Sequence, residues 1–225
     1  DVTIPAKNYY TYNPKKNAPS HLTEYLWLSQ YFASSAMNKK PFKSFKIKTV
    51  NDLRRYLPNP TFVDCYHCSV TAPSVPSISL DDKLSKIGSE LRNDLQKLMD
   101  KRIVFSMIKA QVDPKKIFTG IDFGITGVGA FNIKRPILDA RLSFLANATQ
   151  IGDVSNYIGS IVLSSSSAFN HSSNQNDIIT KISYNPNLVP EKEAKTYLER
   201  IRYVLTKVSL DQTVGDVFEK VMKIE

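Results

Sequence analysis

Between Ile178 and Val208 the apolar period of the chain changes from two to about 3.6, and no other feature limits the fold as much. Ile178, Thr180, Ile182 and Tyr184 alternate with Ile179, Lys181 and Ser183, the pattern of a strand with two unlike faces. After Tyr184-Asn-Pro-Asn187, a turn junction, Glu191 and Glu193 open a helix with the stripe Ala194, Tyr197, Leu198, Ile201, Leu205 and Val208. The two acids favour the positive end of that helix. A chain that contains both patterns must bury a strand face and a helix stripe together.

The same reading extends to the rest of the chain. Residues 1–19 are rich in Tyr, Asn, Lys and Pro without a period, and read as an extended N-terminal arm ahead of one domain, 20–225. Ser20 is placed to N-cap a helix with Leu22, Tyr25, Leu26, Ser29 and Phe32 on one stripe. Phe45–Val50 reads as a basic strand, and Phe62–Val70 as a second one. Leu84, Ile87, Leu91, Leu95 and Leu98 mark an amphipathic helix. Further strands are expected at Ile103–Ile108, Val128–Ile133, Leu142–Ala148 and Ile158–Ser164. Ser209 and Gln212 fit a capping box for a last helix carrying Val214, Val217, Phe218 and Val221. Without regular βαβ alternation, these elements suggest an α+β fold in which a mixed β-sheet is flanked by helices.

Composition narrows the function classes only slightly. The 225 residues are 42% hydrophobic and 23% charged, which excludes a disordered tail and a fibre. No apolar run approaches the roughly 18 residues of a membrane-spanning helix. The start at Asp1, without a Met or signal peptide, fits a fragment or processed product. The formal charge is +9, and Lys39, Lys40, Lys43, Lys46, Lys48, Arg54 and Arg55 cluster around the single Asp52. Such a run is usually a solvated face, and its sharper reading is a phosphate-binding patch. With no RNA-binding signature or zinc-finger spacing beside it, nucleic acid is an unlikely partner. Cys65 and Cys68 lie in an expected strand, where residues three apart face opposite ways, so they read as reduced structural thiols of a cytoplasmic protein and not as metal ligands.

A search for catalytic motifs finds no phosphate loop, no GxGxxG, no HExxH and no GxSxG elbow. The three histidines are His21, His67 and His171. His21 fits an exposed first-turn residue, and His171 lies in the Ser- and Asn-rich stretch 164–176.

The order of several segments is more specific. Asp122-Phe-Gly-Ile-Thr-Gly-Val-Gly-Ala-Phe131 resembles the segment carrying the DFGWG-like motif of CoA-dependent acyltransferases, a superfamily that includes the plant BAHD enzymes, the chloramphenicol acetyltransferases and the fungal alcohol O-acetyltransferases. Thr49-Val-Asn-Asp-Leu-Arg-Arg-Tyr-Leu-Pro58 is similar to a short family segment upstream, and Ser20–Leu26 to the helix before it. Ile161-Val-Leu-Ser-Ser-Ser166, Ile178–Asn187 and Val189–Leu205 resemble the closing strand, strand and helix. The yeast alcohol acetyltransferase group is the nearest fit.

The resemblance implies a chloramphenicol acetyltransferase-like sandwich of two similar halves with a channel between them. It implies acetyl-CoA or another acyl-CoA as co-substrate without a metal, and a small alcohol or amine as acceptor. In the family, the His of an HxxxD motif is the general base. Here His21 leads to Tyr25, His67 to Thr71 and His171 to Gln175, so no histidine has an Asp four positions on. The corner where the catalytic half carries its His is Tyr184–Pro190 in this chain. The chain is therefore expected to be the C-terminal half, inactive alone, with the HxxxD in an N-terminal half or partner subunit. By resemblance Asp122, Gly124 and Thr126 belong to a loop at the channel, and Ser164, Ser165 and Ser166 supply hydroxyl donors to a thioester oxygen or pantetheine amides. A cytoplasmic enzyme is implied, with peripheral contact at the endoplasmic reticulum or lipid droplets. The last helix would offer its stripe to a membrane, although packing against the domain's own core is the simpler use. Two other readings stand beside this one: a degenerate, non-catalytic binding module of the same fold, and a basic nucleic-acid binder.

Overall fold

The computed structural model describes residues 2–16, 18–52, 68–71, 73–101, 123–132, 159–166, 176–183 and 189–225. The chain enters through strand β1 (Val2–Pro5), a 3₁₀ turn (Ala6–Asn8) and a small hairpin of β2 (Tyr12–Asn13) and β3 (Ala18–Pro19). The arm is thus less irregular than its composition suggests, because β1 is an edge strand of the main sheet. It pairs antiparallel with β9 (Asn176–Ser183), and Ile4 is buried. From β9 the sheet continues through β8 (Gly159–Ser166), β7 (Phe123–Asn132), β4 (Phe45–Asp52) and β5 (Cys68–Thr71), while β6 (Ser74–Val75) pairs with the start of β4. The sheet is mixed: β4–β7 and β7–β8 pair in parallel, and β1–β9, β8–β9 and β4–β5 antiparallel.

Four helices complete the described structure: α1 (Leu22–Met37), α2 (Leu84–Asp100), α3 (Glu191–Lys207) and α4 (Val214–Met222). Helix α1 touches the other three and also β7, so it is the central element of an α+β domain. Every residue from Glu24 to Ala36 is buried, including Trp27, Leu28, Tyr31 and Phe32. Burying one large apolar side chain contributes about 1.5–3 kcal/mol, so this helix anchors the core. Its polar residues are accommodated internally. Ser29 Oγ donates to the Leu26 carbonyl at 2.8 Å. The Tyr197 hydroxyl of α3, itself fully buried, donates to Gln30 Oε1 at 2.5 Å and lies 3.0 Å from Ser34 Oγ.

Two caps differ from the sequence expectation. Ser20 does not cap α1, because its N–H closes the hairpin on the Thr11 carbonyl at 2.9 Å. The chain instead turns into α1 through His21 in the left-handed region (φ 53°), without a side-chain cap. The Ser209/Gln212 pair forms half of a capping box, with Gln212 Oε1 accepting from the Ser209 N–H at 2.9 Å, but it braces the turn before α4. Thr213 caps α4, accepting from the Asp216 N–H at 3.2 Å.

The starts of α2 and α4 satisfy each other through backbone. The Leu84 and Ser85 N–H groups donate to the Gln212 and Leu210 carbonyls, at 3.0 and 2.8 Å. In return the Val214 and Gly215 N–H groups donate to the Asp82 and Leu80 carbonyls, at 3.0 and 2.8 Å. These are donors that a helix leaves open at its first turn. In the stripe of α4, Val214, Val217 and Val221 are fully buried in the core, and Phe218 is partly buried against it.

Candidate functional site

The centre of the sheet carries five of the six residues that the sequence points to; Asp122 lies outside the described residues. The segment read as a loop is a strand. Gly124 pairs in register with Lys48 of β4 and Gly159 of β8, and Thr126 faces Ile161. Single-sequence propensity disfavours glycines in strands, but pairing on both sides overrides it. The rung Gly124–Gly159 has no side chain on either of two central strands, the condition for a close approach from above or below the sheet. The register shifts between Gly127 and Gly129, a bulge of the kind that re-aims a strand near sites.

Ser164, Ser165 and Ser166 end β8. They pair with Ala130, Phe131 and Asn132 of β7 on one side and with Ile178, Asp177 and Asn176 of β9 on the other. Because both neighbours are paired, the backbone groups of these serines are taken up by the ladder. The register also places Asp177 and Asn176 beside the serines, with Asn176 drawn into the strand from the end of the Ser- and Asn-rich stretch.

The structure does not gather these residues into one site. Gly124 and Gly159 lie at the start of the parallel pair, and Ser164 is five residues farther along β8. At about 3.3 Å per residue this separates the two groups by roughly 16 Å. The glycine end and the serine end can therefore touch different parts of one long ligand, but not the same atom.

Neither end carries a histidine among the described residues. The one described histidine, His21, sits at the start of α1. His67, His171, Cys65 and the Tyr184–Asn187 junction lie outside the described residues, as do the strand candidates Ile103–Ile108 and Leu142–Ala148. Among the described residues no group of three or more His, Cys, Asp or Glu is placed to hold a metal ion, and no helix is long and apolar enough to cross a membrane.

No protein-family model matches the sequence, and no curated protein matches it. Solved structures do match in fold. The X-domain in a complex of the X-domain and OxyB from teicoplanin biosynthesis superposes with a TM-score of 0.61 at 9% identity, over 96% of this chain and 47% of that one. The epimerization domain of the third module of tyrocidine synthetase B gives 0.55 at 10% identity, over 98% and 48%. The starter condensation domain of rhizomide synthetase, a double mutant in complex with C8-CoA and Leu-SNAC, gives 0.52 at 12% identity, over 95% and 45%. The chain spans about half the length of these structures. At such identities the likeness shows the fold: that of the condensation domains of peptide synthetases, which is shared with the CoA-dependent acyltransferases.

Proposed function

We propose that the chain is the non-catalytic half of an acyl-transferring enzyme, the half that holds the acyl donor while a second half supplies the base. One observation carries this reading. Nearly the whole chain superposes on just under half of each condensation or epimerization domain it resembles, and it contains no HxxxD. In the assembled enzyme the base would take the proton of an alcohol or amine acceptor. The acceptor oxygen or nitrogen would form its bond to the acyl carbon as the thioester C–S bond breaks, and the thiol would leave with a proton. This half would contribute the Ser164–Ser166 hydroxyls beside the donor and the open Gly124–Gly159 rung along its length. The capture of C8-CoA by one fold relative supports acyl-CoA as the donor. An acetyl donor and a small alcohol acceptor, as in the fungal enzymes, are the finer form of the proposal.

A second reading is favoured by the X-domain match, a relative of the same fold that was solved in complex with another protein. On that reading the chain has kept the scaffold as a protein-binding module.

Calorimetric titration with acetyl-CoA and octanoyl-CoA, beside an ester-formation assay with a short alcohol, separates the two. Binding without turnover is the expected result. Turnover by this chain alone would overturn the assignment of the base to another half. Absence of binding to either thioester would favour the protein-binding module.

A further inference from the structure

A cavity of about 380 Å³ lies where the end of α1, the start of β4 and the loop before α2 meet the start of α4. Its inner wall is apolar and partly aromatic: Tyr31, Phe42, Ile78, Leu80 and Val214. Lys40 and Lys43 stand at its mouth, both exposed. Their ammonium groups have no ion-pair partner among the described residues. Leu80 is 52% exposed at the rim, one of two large apolar side chains so exposed among the described residues. The volume and an apolar lining with few polar groups suit a small-molecule pocket.

The walls are fixed by hydrogen bonds that do not depend on a ligand. The Tyr31 hydroxyl donates to the Phe42 carbonyl at 2.8 Å. The Ile78 N–H donates to the Lys43 carbonyl at 2.7 Å, joining the β4 side to the loop before α2. The Gly215 N–H donates to the Leu80 carbonyl at 2.8 Å, joining that loop to α4. Lys40 is set in place by the C-terminal cap of α1, in which the Lys39 N–H donates to Ala36 and the Lys40 N–H to Ser35, each at 3.1 Å. That pairing is a Schellman motif, with Lys39 in the left-handed region at φ 57°. The pocket is preformed, which removes much of the ordering cost of binding.

We propose that this pocket binds a single-chain anionic amphiphile, such as a medium-chain carboxylate. The alkyl chain lies against Tyr31, Phe42 and Leu80, and the carboxylate meets Lys40 and Lys43. The site is distinct from the sheet residues invoked for acyl transfer and does not rest on that reading. It also gives a ligand to part of the basic cluster that the sequence leaves as a solvated face.

Three probes separate the parts of the claim: octanoate, 1-octanol and inorganic phosphate, titrated into the 225-residue chain and followed by calorimetry and ligand-observed NMR. Octanoate is expected to bind more tightly than either of the others. The double change K40E/K43E removes two exposed attractive contacts and should weaken octanoate by about tenfold or more while leaving 1-octanol unchanged. Leu80→Asp should weaken octanoate and 1-octanol alike. These positions are exposed, and thermal unfolding checks that both variants stay folded. Octanoate binding that is indifferent to K40E/K43E, phosphate binding as tight as octanoate, or no octanoate binding would each overturn the proposal. Loss of octanoate binding in K40E/K43E with acyl-CoA titration unchanged would support it and keep it separate from the acyl-transfer site.

Discussion

Thr180 shows how one buried atom can cost a fold stability. It sits in β9 opposite Val2 and Val162, it is fully buried, and its hydroxyl has no hydrogen-bond partner among the described residues. Such a group loses its water without replacement, at about 1–3 kcal/mol. Valine has nearly the same shape, prefers strands and leaves no polar atom behind. Thr180→Val is therefore expected to raise the unfolding free energy by about 1 kcal/mol, read from the urea midpoint at unchanged slope. A lowered midpoint would show that the hydroxyl finds a partner in solution. Nothing in the sequence distinguishes Thr180 from the other threonines of an alternating strand. The same holds for Gln30 and Ser34, polar residues that meet the buried Tyr197 hydroxyl. Which polar side chains are internal is decided by partners far away along the chain, and no local pattern records them.

Helices with a single apolar stripe were legible. The stripe of α3 read from the sequence, Ala194 to Val208, is buried throughout, and so are Leu84, Ile87 and Leu91 of α2. Helix α1 was legible as a helix but not as the central one, because its stripe of Leu22, Tyr25, Leu26, Ser29 and Phe32 gave no hint that the other faces are covered too. The candidate site was less legible still. Gly124 and Thr126, placed by resemblance in a channel loop, lie instead in a central strand paired with β4 and β8. The exchange between the starts of α2 and α4 was not legible for a similar reason: the segment before each helix supplies carbonyls to the first N–H groups of the other, a long-range pairing without a side-chain signature. The end of α1 is different, since its backbone geometry is local. Lys39 occupies the left-handed C′ position that glycine usually takes, a conformation disfavoured for residues with a Cβ. Lys39→Gly should therefore stabilise the chain, by about 0.5–1 kcal/mol after the greater chain entropy of glycine is set against the relieved strain. Thermal unfolding of the variant checks this, and a lower Tm would argue that the Lys39 side chain contributes more than its backbone strain costs.

Four tyrosines join the parts of the molecule: Tyr9 of the entry segment, Tyr25 and Tyr31 of α1, and Tyr197 of α3. All four are buried, and burial raises the pKa of each phenol. Tyr25 is pushed up to about 12, chiefly by burial and further by Tyr10 and Asp211, with the Leu210 backbone opposing. Its hydroxyl donates to the Val208 carbonyl at 2.9 Å, tying α1 to the end of α3, and an ionised phenolate could not make that bond. The sign of the pH dependence follows. Below an ordinary phenol pKa of about 10 both folded and unfolded chains keep these protons, and the phenols add no pH dependence. Above it the unfolded chain releases them while the folded chain retains them, so rising pH favours unfolding. Each retained proton lowers stability by about 1.4 kcal/mol per pH unit in that window. Four together exhaust an ordinary domain stability of about 5–15 kcal/mol within a few pH units. Urea unfolding should therefore give a flat stability near neutral pH and a steep loss beginning at about pH 10. Tyrosinate absorbance should rise together with unfolding and not before it. A stability that stays level to about pH 12 would mean that the four hydroxyls reach water in the folded chain, and that α1 is not held at the centre of the molecule in the way its burial indicates.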